Sequence, residues 1–272
     1  MDDRRPAAPR QLGVQLSLVI LVFIVQFLVL QYWFSSDQEL KSLREEKLDN
    51  VMSTHEPFVR AAVMYLPPAQ ADKFITQLRW FRQSWLTMHE YEPELWRTDI
   101  VVFTSTSLIE LKELGCVENP RSNVQEPNKC IVIADYKKAS FPEFNYDFAD
   151  SINVAAVNHP WVEIYDWVLR TDIDTFLTPA FATWKPSTMA VGFGQYSFDG
   201  YDTNDRLARI MKDLDMQPAE LDNIGSTWYG ARQLVQSCAN MTMEMMLYLN
   251  KNEFTQEEKN AEYGAKGWPR WH

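Results

Sequence analysis

Glycine and cysteine are scarce in this chain, and positive charge is outweighed. There are 9 glycines and 3 cysteines in 272 residues. So little glycine argues against a repeat-rich or linker-rich polypeptide. Three cysteines are too few for a disulfide scaffold. Lys and Arg number 26 against 37 Asp and Glu, a net charge of −11. A domain this acidic is a poor nucleic-acid binder, because phosphate binding needs a basic footprint. No Gly-x-Ser-x-Gly element or Ser-His-Asp arrangement occurs, which argues against serine hydrolysis. His55, His89 and His159 lack the spacing of metal ligands and read as structural or surface groups. What is plentiful is apolar and aromatic. Hydrophobic residues are 46% of the chain, with 10 Trp, 11 Tyr and 15 Phe, enough to build a core.

Charge is also absent from Gln11 to Phe34. Residues 12–34 read LGVQLSLVILVFIVQFLVLQYWF. At about 1.5 Å per residue this run is long enough, as a helix, for a hydrocarbon core of roughly 30 Å. Tyr32 and Trp33 suit the bilayer interface. A cleaved signal peptide would have a shorter apolar stretch and a small-residue site; bulky residues follow here instead, so an uncleaved anchor is expected. Arg4, Arg5 and Arg10 precede the run, and no Lys or Arg follows until Lys41. Residues 1–11 are therefore expected on the cytoplasmic side, as in a single-pass type II membrane protein of the Golgi or ER. Two features agree with a lumenal C-terminal part. Asn240-Met241-Thr242 is an N-glycosylation sequon. Cys116 and Cys130 bracket a polar loop and could be stapled in an oxidising compartment; the alternative is two unrelated buried thiols. Cys238 is left over. Three Arg and two Asp give residues 1–10 a charge of +1, so the total of −11 leaves −12 beyond the span.

Residues 35–56 are charged, with Leu40, Leu43, Leu48 and Val51 near helical spacing, and read as a short stem. The folded domain is expected over 57–272. Phe58 to Tyr65 reads as an apolar strand stopped by Pro67 and Pro68. Ala71 to about Tyr91 has a helical stripe at Phe74, Ile75, Leu78, Phe81, Trp85 and Met88. Asp99 to Thr104 is a second strand. Leu108 to Leu114 is a helix closed by Gly115, and Lys129 to Asp135 a third strand. Asp147 to about Asn158 reads as a helix ended by His159-Pro160, and Trp161 to Leu169 as a further apolar run. This alternation predicts an α/β domain with a mainly parallel central sheet flanked by helices. Ligands of such sheets bind beyond the carboxyl ends of the strands.

The fourth strand and its exit read YDWVLRTDIDTFLTP, Tyr165 to Pro179. Asp172 and Asp174 follow a buried strand, a costly position unless solvated or paired with a cation. Residues two apart on a strand share a face, so both could address one ligand if strand geometry persists. A hard divalent cation, Mn²⁺ or Mg²⁺, suits two carboxylates plus substrate phosphates. It would also let so acidic a domain tolerate a diphosphate. Arg170 is a candidate substrate-binding cation; alternatively it is bonded to the Asp pair. The stretch Tyr165 to Phe176 resembles the Asp-x-Asp region of GT-A-fold glycosyltransferases. Those enzymes are typically type II Golgi membrane proteins using a nucleotide sugar with Mn²⁺ or Mg²⁺. RTDIDTFLTPAF, GSTWYG (225–230) and GWPRW (267–271) are similar to a eukaryotic family of membrane-anchored proteins of no established activity. That resemblance runs from about Phe58 to the C-terminus and implies a metal role for Asp172 and Asp174. The 113 positions from Val59 to Asp172 leave room for a nucleotide-binding half. Haloacid-dehalogenase-like phosphatases also use Asp-x-Asp, but after the first strand, and Thr175 comes one place early for that motif.

Later candidates are weaker. Gly192 and Gly194 could let backbone approach a substrate, or mark a bent strand. Asp222 is a possible catalytic base, with Trp228 or Tyr229 stacking on a sugar ring; alternatively this is a turn before a helix, with Trp228 in the core. That helix starts near Ala231 and reaches about Asn250, its methionines suited to core packing. Glu262 is a late catalytic candidate. His272 is a candidate third metal ligand, because some retaining GT-A enzymes draw one from a late His. The expected function is sugar transfer from a nucleotide-sugar donor to a glycan or glycoprotein acceptor. The alternative is a non-catalytic, anchored carbohydrate-binding or interaction protein.

Overall fold

A computed structural model describes residues 56–118, 129–137, 149–157, 159–194, 203–217 and 224–253. All the described residues belong to one compact unit, Thr54–His272. The expected tail, span and most of the stem lie outside the described residues, as do Asp222, Glu262 and His272. Among the described residues no helix is long and apolar enough to cross a membrane.

The domain is a mixed α/β structure around a seven-stranded sheet. Its strands are β1 (Phe58–Tyr65), β2 (Trp96–Phe103), β3 (Val117–Glu118), β4 (Cys130–Ile133), β5 (Trp167–Arg170), β6 (Ala190–Phe193) and β7 (Ile224–Ala231). Their order is β3-β4-β2-β1-β5-β7-β6. The five strands from β3 to β5 in that order are parallel. Strand β7 runs antiparallel to both β5 and β6.

The helices are α1 (Ala71–His89), α2 (Ile109–Glu113), α3 (Asp150–Ala156), α4 (Pro160–Glu163), α5 (Thr203–Asp213) and α6 (Arg232–Asn252). The stripe of α1 buries Ile75, Leu78, Phe81, Trp85 and Met88 against Ala62, Met64, Ile100 and Val102. On the other face, α3 and α6 bring Val154, Val235 and Ala239 to Ala61, Val63, Val101 and Ile131. Covered on both faces, β1 and β2 read as near-continuous buried runs, as central parallel strands do. Edge strand β6 instead alternates half-buried with exposed.

Two of the boundaries that differ from the sequence expectation have a direct physical cause. Strand β2 begins at Trp96, not Asp99, because its polar start is buried and satisfied. Arg97 pairs with Asp99, and Asp99 also accepts from the Tyr165 hydroxyl at 2.7 Å and the Lys129 backbone N–H at 2.8 Å. Pro160 opens the short helix α4 rather than ending one; proline's missing N–H costs nothing in a first helical turn. Cys116, after α2, and Cys130, at the start of β4, are disulfide-bonded.

Candidate functional site

The site follows from strand order. From β1 the chain moves outward through β2 to β4, then returns to place β5 on the other side of β1. That reversal makes the carboxyl ends of β1 and β5 a topological switch point, where open α/β sheets bind ligands. Because β7 is antiparallel and ends its pairing with β5 at Arg170 opposite Trp228, its earlier residues run alongside the chain that leaves β5. Ser226 thereby arrives beside Asp172.

Strand β5 stops at Arg170, and Ile173-Asp174 form a turn. The alternation expected to point both carboxylates one way does not persist. Two local forces make the turn. Ile173 is buried, and the Thr175 hydroxyl donates back to the Asp172 carbonyl at 2.8 Å. The carboxylates end in different surroundings. Asp174 is exposed. Asp172 is 37% exposed and ordered from both sides: Arg170 Nη2 donates to Oδ1 at 2.9 Å and Ser226 Oγ to Oδ2 at 2.6 Å.

Arg170 is the hub of this arrangement. Its guanidinium also donates to the Ser151 carbonyl and hydroxyl, each at 2.7 Å, and to the Ser226 carbonyl. At 1% exposure, it holds Asp172 from behind, in line with the alternative that it is bonded to the Asp pair, here through Asp172. Ser151 lies in no motif, and Ser226 lies in GSTWYG without a role of its own being read from it. The antiparallel return of β7 and the placement of α3 bring them to Arg170 and Asp172.

The remaining candidates separate. Trp228 is 7% exposed and packs with the α3 and α6 face, its indole N–H donating to the Gly225 carbonyl at 3.1 Å. It packs as a core residue, the alternative that the sequence left open. Tyr229 is 2% exposed, with its hydroxyl between Arg60 and the Trp184 carbonyl. Burial raises its pKa above the usual phenol value. Gly194 is required by packing, since a Cβ there would lie 2.5 Å from the Ile224 carbonyl oxygen. Gly192 crosses β7 at Thr227 and borders a cavity. Asn240 is exposed on α6. Among the described residues no three His, Cys, Asp or Glu side chains are grouped for a metal.

The cavity has a volume of about 640 Å³. It lies on the α1 side of β5, β7 and β6, under residues 175–184. Phe176 and Trp184, which sequence reasoning passed over, line it.

A comparison with curated proteins finds no match. The family model described as a domain of unknown function, DUF7164, matches residues 54–272, from the start of the compact unit to the end of the chain. The chain belongs to this DUF7164 family.

Proposed function

We propose that the protein is a membrane-anchored, metal-dependent glycosyltransferase with a GT-A-like domain. It transfers a sugar from a nucleotide-sugar donor to a glycan or glycoprotein acceptor in the Golgi or ER lumen. The observation that carries this reading is the Asp172–Asp174 turn at the sheet's switch point, with Asp172 held by Arg170 and Ser226. Two carboxylates are the donor chemistry that a hard divalent cation takes. Each Asp172 oxygen accepts one side-chain hydrogen bond, so lone pairs remain, and Asp174 is exposed. Mn²⁺ or Mg²⁺ held by these two carboxylates and a substrate diphosphate would neutralise charge on the leaving phosphate.

The chain's own residues do the positioning. Arg170 fixes the Asp172 carboxylate and offsets its charge. Ile173 pins the turn to the core. The Cys116–Cys130 disulfide suits an oxidising compartment.

The test uses the full-length protein in nanodiscs and a panel of nucleoside diphosphates and nucleotide sugars. Mn²⁺-dependent binding and slow donor hydrolysis are expected, both abolished by Asp172→Ala and by Asp174→Ala. Binding of no nucleoside diphosphate, or equal binding by both variants, sinks the reading. The Arg170–Asp172 pair favours a second reading, in which Asp172 is spent structurally and the domain binds glycans without catalysis. Glycan binding that is indifferent to Mn²⁺ and to nucleotides would select it.

A further inference from the structure

The cavity beside β5 is not the space that Asp172 faces. Arg170 and Ser226 carry the Asp172 carboxylate toward Ser151 of α3. Leu169 and Tyr229 turn to the opposite, α1-facing side of the same strands, and they line the cavity with Thr227. The sheet edge therefore separates two sites. One offers carboxylates. The other has no charged side chain among its described lining residues. A diphosphate would gain nothing there and would lose its hydration.

Empty apolar space is costly, and soft walls collapse into it. These walls are braced. Arg60 Nη1 donates to the Trp184 carbonyl and Nη2 to the Ala182 carbonyl, each at 3.0 Å. The Tyr229 hydroxyl also reaches the Trp184 carbonyl, at 3.1 Å. The Leu177 N–H donates to Ser84 Oγ of α1 at 2.9 Å. The strap over the cavity is thus tied from below at three positions, two of them by a buried arginine. A volume of about 640 Å³ falls in the range of preformed small-molecule sites, roughly 300–1,000 Å³.

The lining sets the ligand class. Phe176 is 61% exposed and Trp184 36%, giving an open apolar rim. At the β5 end, Thr171 Oγ1 lies 2.8 Å from Thr175 Oγ1 and 3.4 Å from Thr227 Oγ1. Thr175 is already committed to the Asp172 carbonyl, which leaves Thr227 with capacity for a further partner. We infer that this cavity binds a neutral amphiphile, an apolar chain or ring lying along Phe176 and Trp184 with a hydroxyl at Thr227. The site is independent of nucleotide binding across the sheet edge.

The experiment uses full-length protein in nanodiscs and a diazirine-bearing medium-chain alcohol. Photocrosslinked residues are mapped by mass spectrometry, so partition into lipid does not mask the site. Labelling is expected at residues 175–184 and on β6. Excess decanol should suppress it; decanoate and nucleoside diphosphates should not. Ala180 lines the cavity yet is exposed, so Ala180→Trp fills the mouth at little cost to the fold and should abolish labelling. Thr227→Val keeps the shape and removes one hydrogen bond, which should weaken decanol competition about fivefold. Labelling scattered over the surface, persisting in Ala180→Trp at unchanged melting temperature, or suppressed equally by decanoate overturns the inference.

Discussion

Arg60 and Arg170 are both 1% exposed, yet they do different work at opposite ends of the sheet. Arg60 sits near the amino end of β1. It bonds Thr98 at 2.7 Å, Tyr229 at 2.9 Å, two carbonyls of the strap and, at 3.4 Å, Glu92. Phe181 lies 4.2 Å away under the guanidinium. Its charged partner is interior too, the Glu92 side chain being 3% exposed. Arg170 has the same burial, but its carboxylate partner is 37% exposed. A buried cation whose anion is also buried braces the fold. A buried cation whose anion reaches solvent presents that anion to something.

Exchanging each arginine for methionine breaks the comparison most sharply. Arg60→Met leaves Glu92 and two strap carbonyls without their cation, and removing one partner of a buried pair costs roughly 3–5 kcal/mol. Arg170→Met lets Asp172 turn to water, so a smaller loss of about 1–3 kcal/mol is expected. In the proposed reading, Mn²⁺ affinity falls for Arg170→Met and holds for Arg60→Met. Denaturant melts and metal titration of both variants check this. Equal losses of stability with no difference in metal affinity would erase the distinction.

The disulfide belongs to the braced end, since Cys130 begins β4. It closes a loop of sequence separation 14, for which reduction should cost about 3 kcal/mol. Melts with and without reductant, alongside a Cys116→Ser, Cys130→Ser variant, measure the loss. Nucleotide binding by the still-folded fraction should be unaffected, because the bridge lies away from the Asp172 turn. At the open end, Ser226→Ala removes one hydrogen bond to Asp172. About 1 kcal/mol of stability and a several-fold loss of Mn²⁺ affinity are expected; an unchanged affinity would mean that Arg170 alone sets the carboxylate.

The same contrast explains what was legible in the sequence. The alternation of strands and helices was readable because β1, β2 and α1 are buried by simple periodicity. The Asp pair was readable because two carboxylates after a core strand need a reason. The polar start of β2 was not, since Arg97 and Asp99 satisfy each other only once Tyr165 and Lys129 have come near. Trp228 and Gly194 suggested binding by residue type, but the crossing of β6 on β7 decides their packing. The roles of Ser151 and Ser226 were not readable, because long-range register and not spacing delivers Ser151 to Arg170 and Ser226 to Asp172.

The smallest predicted effect is a pH dependence, and it tests both ends at once. His89 lies at the braced end, 3.7 Å from Glu92 with its ring against Trp85. His159 lies at the open end, its ring against Phe103. Burial lowers both pKa values below the usual 6.5, and nearby carboxylates only partly oppose it: Glu92 and Asp99 for His89, Asp135 and Glu163 for His159. A histidine with a lowered folded pKa binds more protons when unfolded. Stability is therefore full above pH 6.5 and falls on acidification through the window between 6.5 and the folded value. The melting temperature should decline as pH drops below 6.5. His89→Gln and His159→Gln should each flatten that slope, and the double variant should flatten it further. A slope unchanged in His89→Gln would mean that protonation at the braced end is balanced by Glu92, leaving the acid response to the open end alone.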